Sequence, residues 1–256
     1  MFDLHAASLV LANLRHTAET SPRLPPELRP QNFAEAWQLQ QAVAAHIEAT
    51  TGATIAGWKC GISDANVFML APIFSDSVQH IAAHGPTLCP LIPRHNLASI
   101  EPEFAFVMQT SLDAAPHYSE AEIDAAIGST HLALELIFDR FEEPASLSFP
   151  ENLADGLKNQ GLLIGPRIEN ALPEVDLVLA HGDSNLNIKG KHPNLVPKAP
   201  LYALVNFLRE QGMGLGAGQA IITGSIAGVW DVPLNAMVHI EYVGLGQFST
   251  EFTPST

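Results

Sequence analysis

The spacing of apolar residues predicts two helices in the first quarter of the chain. Residues 3–17 carry an apolar stripe with helical periodicity. Asn32, followed three residues later by Glu35, is typical of a capping box at the start of a second helix, and Gly52 is a suitable place for that helix to end. Residues 1–52 are therefore predicted to form a small N-terminal helical portion.

After residue 52 the pattern changes to short apolar runs separated by glycine and proline, which is typical of strands. The runs predicted as strands are 54–61, 100–108 and 131–140, and a hairpin turn is predicted at 181–185. The segments predicted as helices are 119–128, 200–210 and a brief one from Ser63 and Asp64 to Leu70, which a loop over 71–76 follows. Residues 53–256 are predicted to be a β-rich domain that forms one compact α+β unit with the helices.

Composition and charge narrow the class of protein. Of the 256 residues, 47% are hydrophobic and 15% are charged, which is typical of a compact globular protein. The formal charge of −15 argues against nucleic acid or an anionic membrane as a partner, and an anionic substrate would need a local positive centre. Met1–His5 lacks the basic start of a signal peptide, and the two cysteines fit a reducing compartment, so a cytoplasmic location is expected.

Glu101 and Glu103 lie two residues apart in the strand predicted at 100–108. Because successive side chains of a strand alternate between its faces, both carboxylates project from the same face. Carboxylates that lie close together repel each other, and a cation relieves that repulsion. Mg²⁺ and Mn²⁺ prefer oxygen ligands and keep waters that a substrate displaces. A metal site is one interpretation of this pair, and two unrelated glutamates facing solvent are the other.

A third acidic residue and a lysine extend the pattern. Glu135 lies within the apolar run 131–140, where a carboxylate is costly to bury unless it meets a cation, so it is the natural third ligand. The alternative is a glutamate at a strand edge that faces water. Lys59 lies between Gly57 and Gly61, which permit close approach of backbone or ligand. The alternative for Lys59 is an ordinary surface lysine.

The order and spacing of several motifs resemble one branch of a known superfamily. The motifs are Gly57-Trp58-Lys59-Cys60-Gly61, Ile73-Phe74-Ser75-Asp76, Glu101-Pro102-Glu103-Phe104-Ala105-Phe106-Val107, Ala133-Leu134-Glu135 with Arg140, and Gly161-Leu162-Leu163-Ile164-Gly165. Together they resemble the 2-hydroxypentadienoate hydratase and 4-oxalocrotonate decarboxylase branch of the fumarylacetoacetate hydrolase superfamily. The resemblance covers most of residues 30–252. It implies a helical N-terminal portion packed on a mixed β-sandwich roll, assembled into homo-oligomers.

The resemblance also implies a reaction and the residues that perform it. Mg²⁺ or Mn²⁺ would be bound by Glu101, Glu103 and Glu135, with Lys59 as the active-site lysine and Asp76 as a catalytic acid. A divalent ion chelates a 2-oxo acid and stabilises the enolate formed from it, while Lys59, its pKa lowered by burial and by the cation, moves the proton. The expected enzyme is a carbon–oxygen lyase that hydrates a 2-hydroxy-2,4-dienoate to a 4-hydroxy-2-oxo acid.

Departures from the family pattern leave the substrate open. Arg140 and Asp155 match positions that the resemblance assigns to substrate binding, but an Asp-Asn-Ala-Ser-like run of the family is Asp-Gly-Leu-Lys here, at 155–158. Lys158 and Lys198 are candidates for new positive charge toward a substrate carboxylate, and the alternative is that both are surface residues.

The same enolate chemistry serves other functions, and these remain as alternatives. They are decarboxylation of a 2-oxo diacid of the 4-oxalocrotonate type, another enolate-forming reaction on an altered substrate, and a non-catalytic ligand-binding or oligomerisation module. Retention of Lys59 together with all three acids argues against the module.

Overall fold

Helices open the chain and strands dominate the rest of it in the computed structural model, which describes residues 2–63, 65–82, 86–114 and 117–255. In these residues the helices are α1 (Leu4–Leu14), α2 (Phe33–Thr51), α3 (Glu120–Ala126), α4 (Phe149–Ala154) and α5 (Ala199–Glu210). The strands are β1 (Ile55–Ile62), β2 (Phe68–Phe74), β3 (Val78–His80), β4 (Thr87–Leu91), β5 (Leu97–Met108), β6 (Ile127–Ile137), β7 (Asn159–Ile168), β8 (Glu174–His181), β9 (Ser184–Lys191), β10 (Ala220–Ile222), β11 (Trp230–Pro233), β12 (Met237–Tyr242) and β13 (Gly246–Pro254).

Local capping sets the ends of the second helix, as the sequence predicts. The Asn32 side chain accepts a hydrogen bond from the backbone N–H of Glu35, and Gly52 ends α2 with a φ of 78°, a conformation that glycine adopts without strain. α1 and α2 bury their apolar faces in one cluster that also contains Phe74 and Leu153. The helical portion therefore packs on β2 and α4, whereas the division of the chain at residue 52 stays a prediction.

Two sheets form the β-rich part of the fold. The larger has the strand order β2-β1-β10-β5-β6-β7-β3, with β11 also pairing β5, and the smaller has the order β4-β13-β12-β8-β9. β2 contacts β7 although four strands, β1, β10, β5 and β6, lie between them in the order of the larger sheet, so this sheet curls. The main hydrophobic core joins the two sheets and α5. This is the mixed α+β roll expected from the sequence.

The segment between residues 63 and 76 differs from its prediction. The structure has a strand, β2, over Phe68–Phe74, where a brief helix to Leu70 and a loop over 71–76 were expected; Asp64, the expected helix cap, lies outside the described residues. Long-range pairing decides this segment, because β2 runs antiparallel to β1 along nearly its whole length. A short apolar run has no periodicity that separates a helix from a buried strand.

None of the helices in the described ranges is long and apolar enough to cross a membrane.

Candidate metal centre

The pairing register of β5 and β6 brings three glutamates together. Glu101 lies directly opposite Glu135, and Glu103 lies opposite Ala133, one pair further along the same face. Oxygen atoms from the three carboxylates lie within 4.8 Å of one another. Glu103 is 2% exposed and Glu135 is 0% exposed. The predicted trio therefore converges in space, and the alternative of unrelated solvent-facing glutamates is wrong.

A gap beside β5 opens the sheet at this cluster. β10 pairs residues 105–107 of β5 and β11 pairs residues 97–100, so no strand of the described chain pairs the stretch between them on that side. The Pro102 carbonyl points into the gap and accepts a hydrogen bond from the backbone N–H of Ile226. The backbone N and C=O of one strand residue point to the same side of the strand, so the nitrogen of Pro102, which carries no hydrogen, also faces the gap. No hydrogen bond to a neighbouring strand is therefore lost at this proline.

Lys59 completes the cluster from a different strand. β10 lies between β1 and β5, with Lys59 opposite Ile222 and Ile222 opposite Ala105, so Lys59 shares the face of the glutamates. Its Nζ atom lies 2.7 Å from Oε1 of Glu135 and donates to the Leu157 carbonyl over 3.2 Å. The alternative of a surface lysine is wrong, since its side chain is only 15% exposed.

Burial and mutual repulsion shift the pKa values of the carboxyl groups upward. Burial, followed by the charge of Glu135, raises the pKa of Glu101 to about 7. Burial and the two neighbouring glutamates raise the pKa of Glu103 well above its ordinary value. Three carboxyl groups with one lysine beside them therefore make a site that favours additional positive charge.

The pKa of Lys59 shifts in the direction opposite to the sequence-based expectation. Burial by itself lowers this pKa, but the charges of Glu135, Glu101 and Glu103 together outweigh burial and raise it above its ordinary value. The expectation included a bound cation, which repels the ammonium group, whereas the protein's own groups hold Lys59 protonated.

The donor set fits a hard divalent cation. Oε2 of Glu135 is buried and has no hydrogen-bond partner among the described residues, although Oε1 of the same carboxylate accepts from Lys59 and from Nδ2 of Asn159. An unpaired oxygen of a buried carboxylate is costly unless it binds a cation. Three carboxylates without sulfur or imidazole donors match the preference of Mg²⁺ and Mn²⁺ rather than that of zinc or copper.

A left-handed turn at 156–158 forms one wall of the centre. Gly156, Leu157 and Lys158 have φ values of 79°, 53° and 67°, and the last two are uncommon for residues with side chains. The turn presents the Leu157 carbonyl to Lys59, and Asn159, which follows it, donates to Glu135 over 2.9 Å.

Two arginines stabilise this turn through hydrogen bonds to the residues on either side of it. Arg15 and Arg140 both donate to the backbone carbonyls of Asp155 and Asn159, which flank the turn. Arg140 also forms a buried ion pair with Asp155, with 3.2 Å between Nη1 and Oδ2. A Cβ atom on Gly156 would lie 2.1 Å from Nη2 of Arg15, so a side chain there would displace this guanidinium from the two carbonyls it contacts. The structure thus brings Arg140 and Asp155 together, in contact with the turn rather than with the three glutamates.

Lys158 lies at a cavity beside the cluster. Its Nζ lies 2.7 Å from Oδ1 of Asp139, and Arg94 pairs with the other oxygen of the same carboxylate. The three residues line a cavity of about 250 Å³ together with Ser99 of β5. Burial, followed by the charge of Arg94, lowers the pKa of Lys158, while Glu101 acts in the opposite direction. Lys158 therefore lies close enough to the centre to interact electrostatically with one of its glutamates.

Asp76 and Lys198 lie at other cavities. Asp76 is exposed and lines a cavity of about 310 Å³ together with Arg15 and Arg140, and within the described ranges it makes no hydrogen bond or ion pair with the three glutamates. Lys198 pairs with Asp124 at a larger cavity of about 620 Å³, whose lining includes Glu169 but not Glu101, Glu103 or Glu135. Converging charged groups, and not the size of a cavity, mark the metal centre. The catalytic role expected of Asp76 stays a prediction.

Sequence reasoning missed several residues that surround the centre. Asn159 and Gly224 donate to its glutamates, whereas Arg15 contacts the turn and Arg94 contacts Asp139, and each has an ordinary local context in the sequence. The signal that the sequence offered was the departure at 155–158, which marks the turn but not its partners.

The fold has solved relatives, although no protein-family model and no curated protein sequence matches the chain. A yeast fumarylacetoacetate hydrolase family protein is 16% identical, with 77% of this chain and 92% of that chain covered and a TM-score of 0.52. The fumarylpyruvate hydrolase from Pseudomonas aeruginosa, in complex with Mn²⁺ and pyruvate, is 14% identical, with 77% and 89% covered and a TM-score of 0.55. The chain therefore has the fold of the fumarylacetoacetate hydrolase superfamily.

One solved structure, a decarboxylase of this fold, is similar to this protein over nearly the whole chain. The 4-oxalocrotonate decarboxylase from Pseudomonas putida G7, complexed with magnesium and adipate, has a TM-score of 0.79 and 21% identity, with 97% of both chains covered. The N-terminal helices are thus part of the shared fold, as the sequence resemblance implies.

Proposed function

We propose that the protein is a metal-dependent lyase that acts on a small 2-oxo or 2-hydroxydienoic acid, with hydration to a 4-hydroxy-2-oxo acid as the reaction. The observation that carries the proposal is the convergence of Glu101, Glu103 and Glu135, with the Nζ atom of Lys59 2.7 Å from Oε1 of Glu135. Solved relatives of this fold bind magnesium, calcium or manganese together with small carboxylic acids, which supports the same class of ligand here.

The three glutamates would hold Mg²⁺ or Mn²⁺, which supplies a Lewis acid for the oxygens of the substrate. Lys59, kept protonated by the neighbouring carboxylates, is the proton donor to the substrate carbon when the dienol becomes a ketone. The Leu157 carbonyl and Glu135 orient its ammonium group. Asn159 keeps Glu135 in place through its side-chain amide.

A spectroscopic assay tests this function. Protein is mixed with Mg²⁺ and freshly prepared 2-hydroxypenta-2,4-dienoate, and loss of the dienol absorbance is followed with and without EDTA. We expect Mg²⁺-dependent loss in the wild type and none in Glu103→Gln with its fold intact by circular dichroism. Equal rates with EDTA, or in Glu103→Gln, would contradict the proposal.

A second candidate, decarboxylation of a 2-oxo diacid, is favoured by the charges at the neighbouring cavity. Arg94 and Lys158 form a cationic centre that shares the carboxylate of Asp139, and the other acid of the cavity lining, Asp231, accepts a hydrogen bond from Ser99. Such a centre suits the second carboxylate of a diacid. The similarity to a 4-oxalocrotonate decarboxylase bound to adipate, itself a diacid, points in the same direction.

Carbon dioxide release from a 2-oxo-hexenedioate separates the two candidates. If the diacid is the substrate, Lys158→Met raises KM for the diacid and leaves the five-carbon monoacid unaffected. Lys189→Met, which removes an exposed lysine paired with Asp176, is the control. Turnover of the monoacid without any carbon dioxide release from the diacid would favour hydration. Homo-oligomerisation and a cytoplasmic location remain predictions.

A further inference from the structure

A short segment after β10 delivers a backbone amide to one of the three glutamates. Gly224 donates its N–H to Oε2 of Glu103 over 2.7 Å. Its φ of 130° is a conformation that residues with side chains rarely adopt. A Cβ atom at this position would lie 2.8 Å from Cγ of Pro193, so the segment packs directly on the 192–194 loop. This close packing sets the direction in which the Gly224 N–H points.

The loop that packs on Gly224 contains a buried histidine. His192 is 2% exposed, and its Nε2 atom lies 3.2 Å from Oγ1 of Thr223, the residue directly before Gly224. Its Nδ1 atom lies 3.0 Å from the backbone N and from the backbone O of Asn194. In either neutral tautomer, therefore, one ring nitrogen contacts the Asn194 backbone and the other contacts the Thr223 hydroxyl.

Backbone hydrogen bonds hold both sides of this arrangement. The Ile226 N–H donates to the Pro102 carbonyl on β5, and the Ile226 carbonyl accepts from the N–H of Lys191, the residue before His192. The side chain of Asn194 donates to the Ile62 carbonyl at the end of β1, the strand that carries Lys59. Residues 223–226 thus lie between β5, which carries Glu103, and the 192–194 loop, which contains His192.

We propose that His192 is a positioning residue for the metal centre, which through Thr223 holds the Gly224 N–H against Glu103 and so fixes the direction of that carboxylate. This inference rests on the proposed metal-dependent function. A ligand carboxylate that is hydrogen-bonded through one oxygen presents its other oxygen in a defined direction. Loss of such an outer contact typically lowers metal affinity by about 10–100-fold.

Two substitutions at His192 separate this role from simple support of the loop. The amide of His192→Gln reaches about as far as Nε2 and retains a partner for Thr223, whereas the amide of His192→Asn reaches only as far as Nδ1 and retains the contact to Asn194. Mn²⁺ affinity is measured by titration calorimetry in both variants, in wild type and in Thr223→Val, with the melting temperature of each metal-free protein recorded in parallel.

We expect His192→Gln to bind Mn²⁺ nearly as well as wild type. We expect His192→Asn and Thr223→Val each to bind about 10–100-fold more weakly. A double variant that combines these two substitutions should lose no more than either one, because both break the same contact. Affinity that is unchanged in His192→Asn, or lost in His192→Gln but kept in His192→Asn, would overturn this role while leaving the centre intact. Absence of Mn²⁺ binding by the wild type would overturn the centre and this inference with it.

Discussion

Replacing Glu101 by glutamine should stabilise the metal-free protein and at the same time remove its response to metal. The substitution keeps the shape of the side chain and removes one of three carboxyl charges that lie within 4.8 Å of one another. Groups assembled for a ligand repel one another in its absence, so a gain in stability is expected where the chemistry is lost.

The expected magnitude follows from the pKa of Glu101, which burial and Glu135 raise from 4.5 to about 7. A carboxyl group whose pKa is higher in the folded state destabilises that state once the pH exceeds the unfolded-state pKa. This cost grows between about pH 4.5 and pH 7 and is constant above. The full shift corresponds to roughly 3 kcal/mol. Because the side chain is partly exposed, we expect Glu101→Gln to gain about 2 kcal/mol at pH 8, or about 4–8 °C in Tm, and little at pH 5.

Thermal and urea unfolding at pH 5 and pH 8, with EDTA and with a Mg²⁺ series, measure both effects. The wild-type Tm should rise with Mg²⁺ concentration by mass action, and the variant Tm should not. Glu48→Gln, on the exposed surface of α2, makes the same charge change away from the centre and should show neither effect. The reasoning is refuted if Glu101→Gln is less stable than wild type in EDTA at pH 8, or gains as much from Mg²⁺.

Three further expectations concern the lysine, an acid-sensitive contact and the turn. Lys59→Met should lower turnover by about 10²–10⁴-fold with Mn²⁺ affinity retained by calorimetry, and a normal rate would exclude it as the proton donor. Burial raises the pKa of Glu151, but hydrogen bonds, first from Arg23, outweigh burial and bring it to about 2. That stability is present above about pH 4.5 and lost as the pH falls through 2, so acid titration of Glu151→Gln should lack this loss. Gly156→Ala should lower both Tm and turnover, because its Cβ would clash with the Arg15 guanidinium in addition to the cost of a positive φ. Gly182→Ala is the control: its Cβ would lie in open space, so it has only the cost of the positive φ. Equal effects of the two substitutions would argue against a packed turn at 156–158.

Features that depend on neighbours in the sequence were predictable. Asn32 and Gly52 cap α2 where expected, and the hairpin turn between β8 and β9 lies within 181–185. The segment 63–76 was not predictable, because pairing with β1 turns an ambiguous apolar run into β2. Residue type and the family resemblance predicted that Lys59 and the three glutamates form one site, and the structure brings them together, but the outer contacts at Asn159 and Gly224 were not predictable.

The sequence by itself determined that Glu101 and Glu103 share one face of a strand, because side-chain alternation is a local property of the extended backbone. It also determined that a carboxylate within the apolar run of β6 needs a partner. Only the tertiary structure decided which partner, through the register that sets Glu135 opposite Glu101 and the sheet order that sets Lys59 within 2.7 Å of it. Register and sheet order are set by the packing of residues distant in the chain, and no local pattern encodes them.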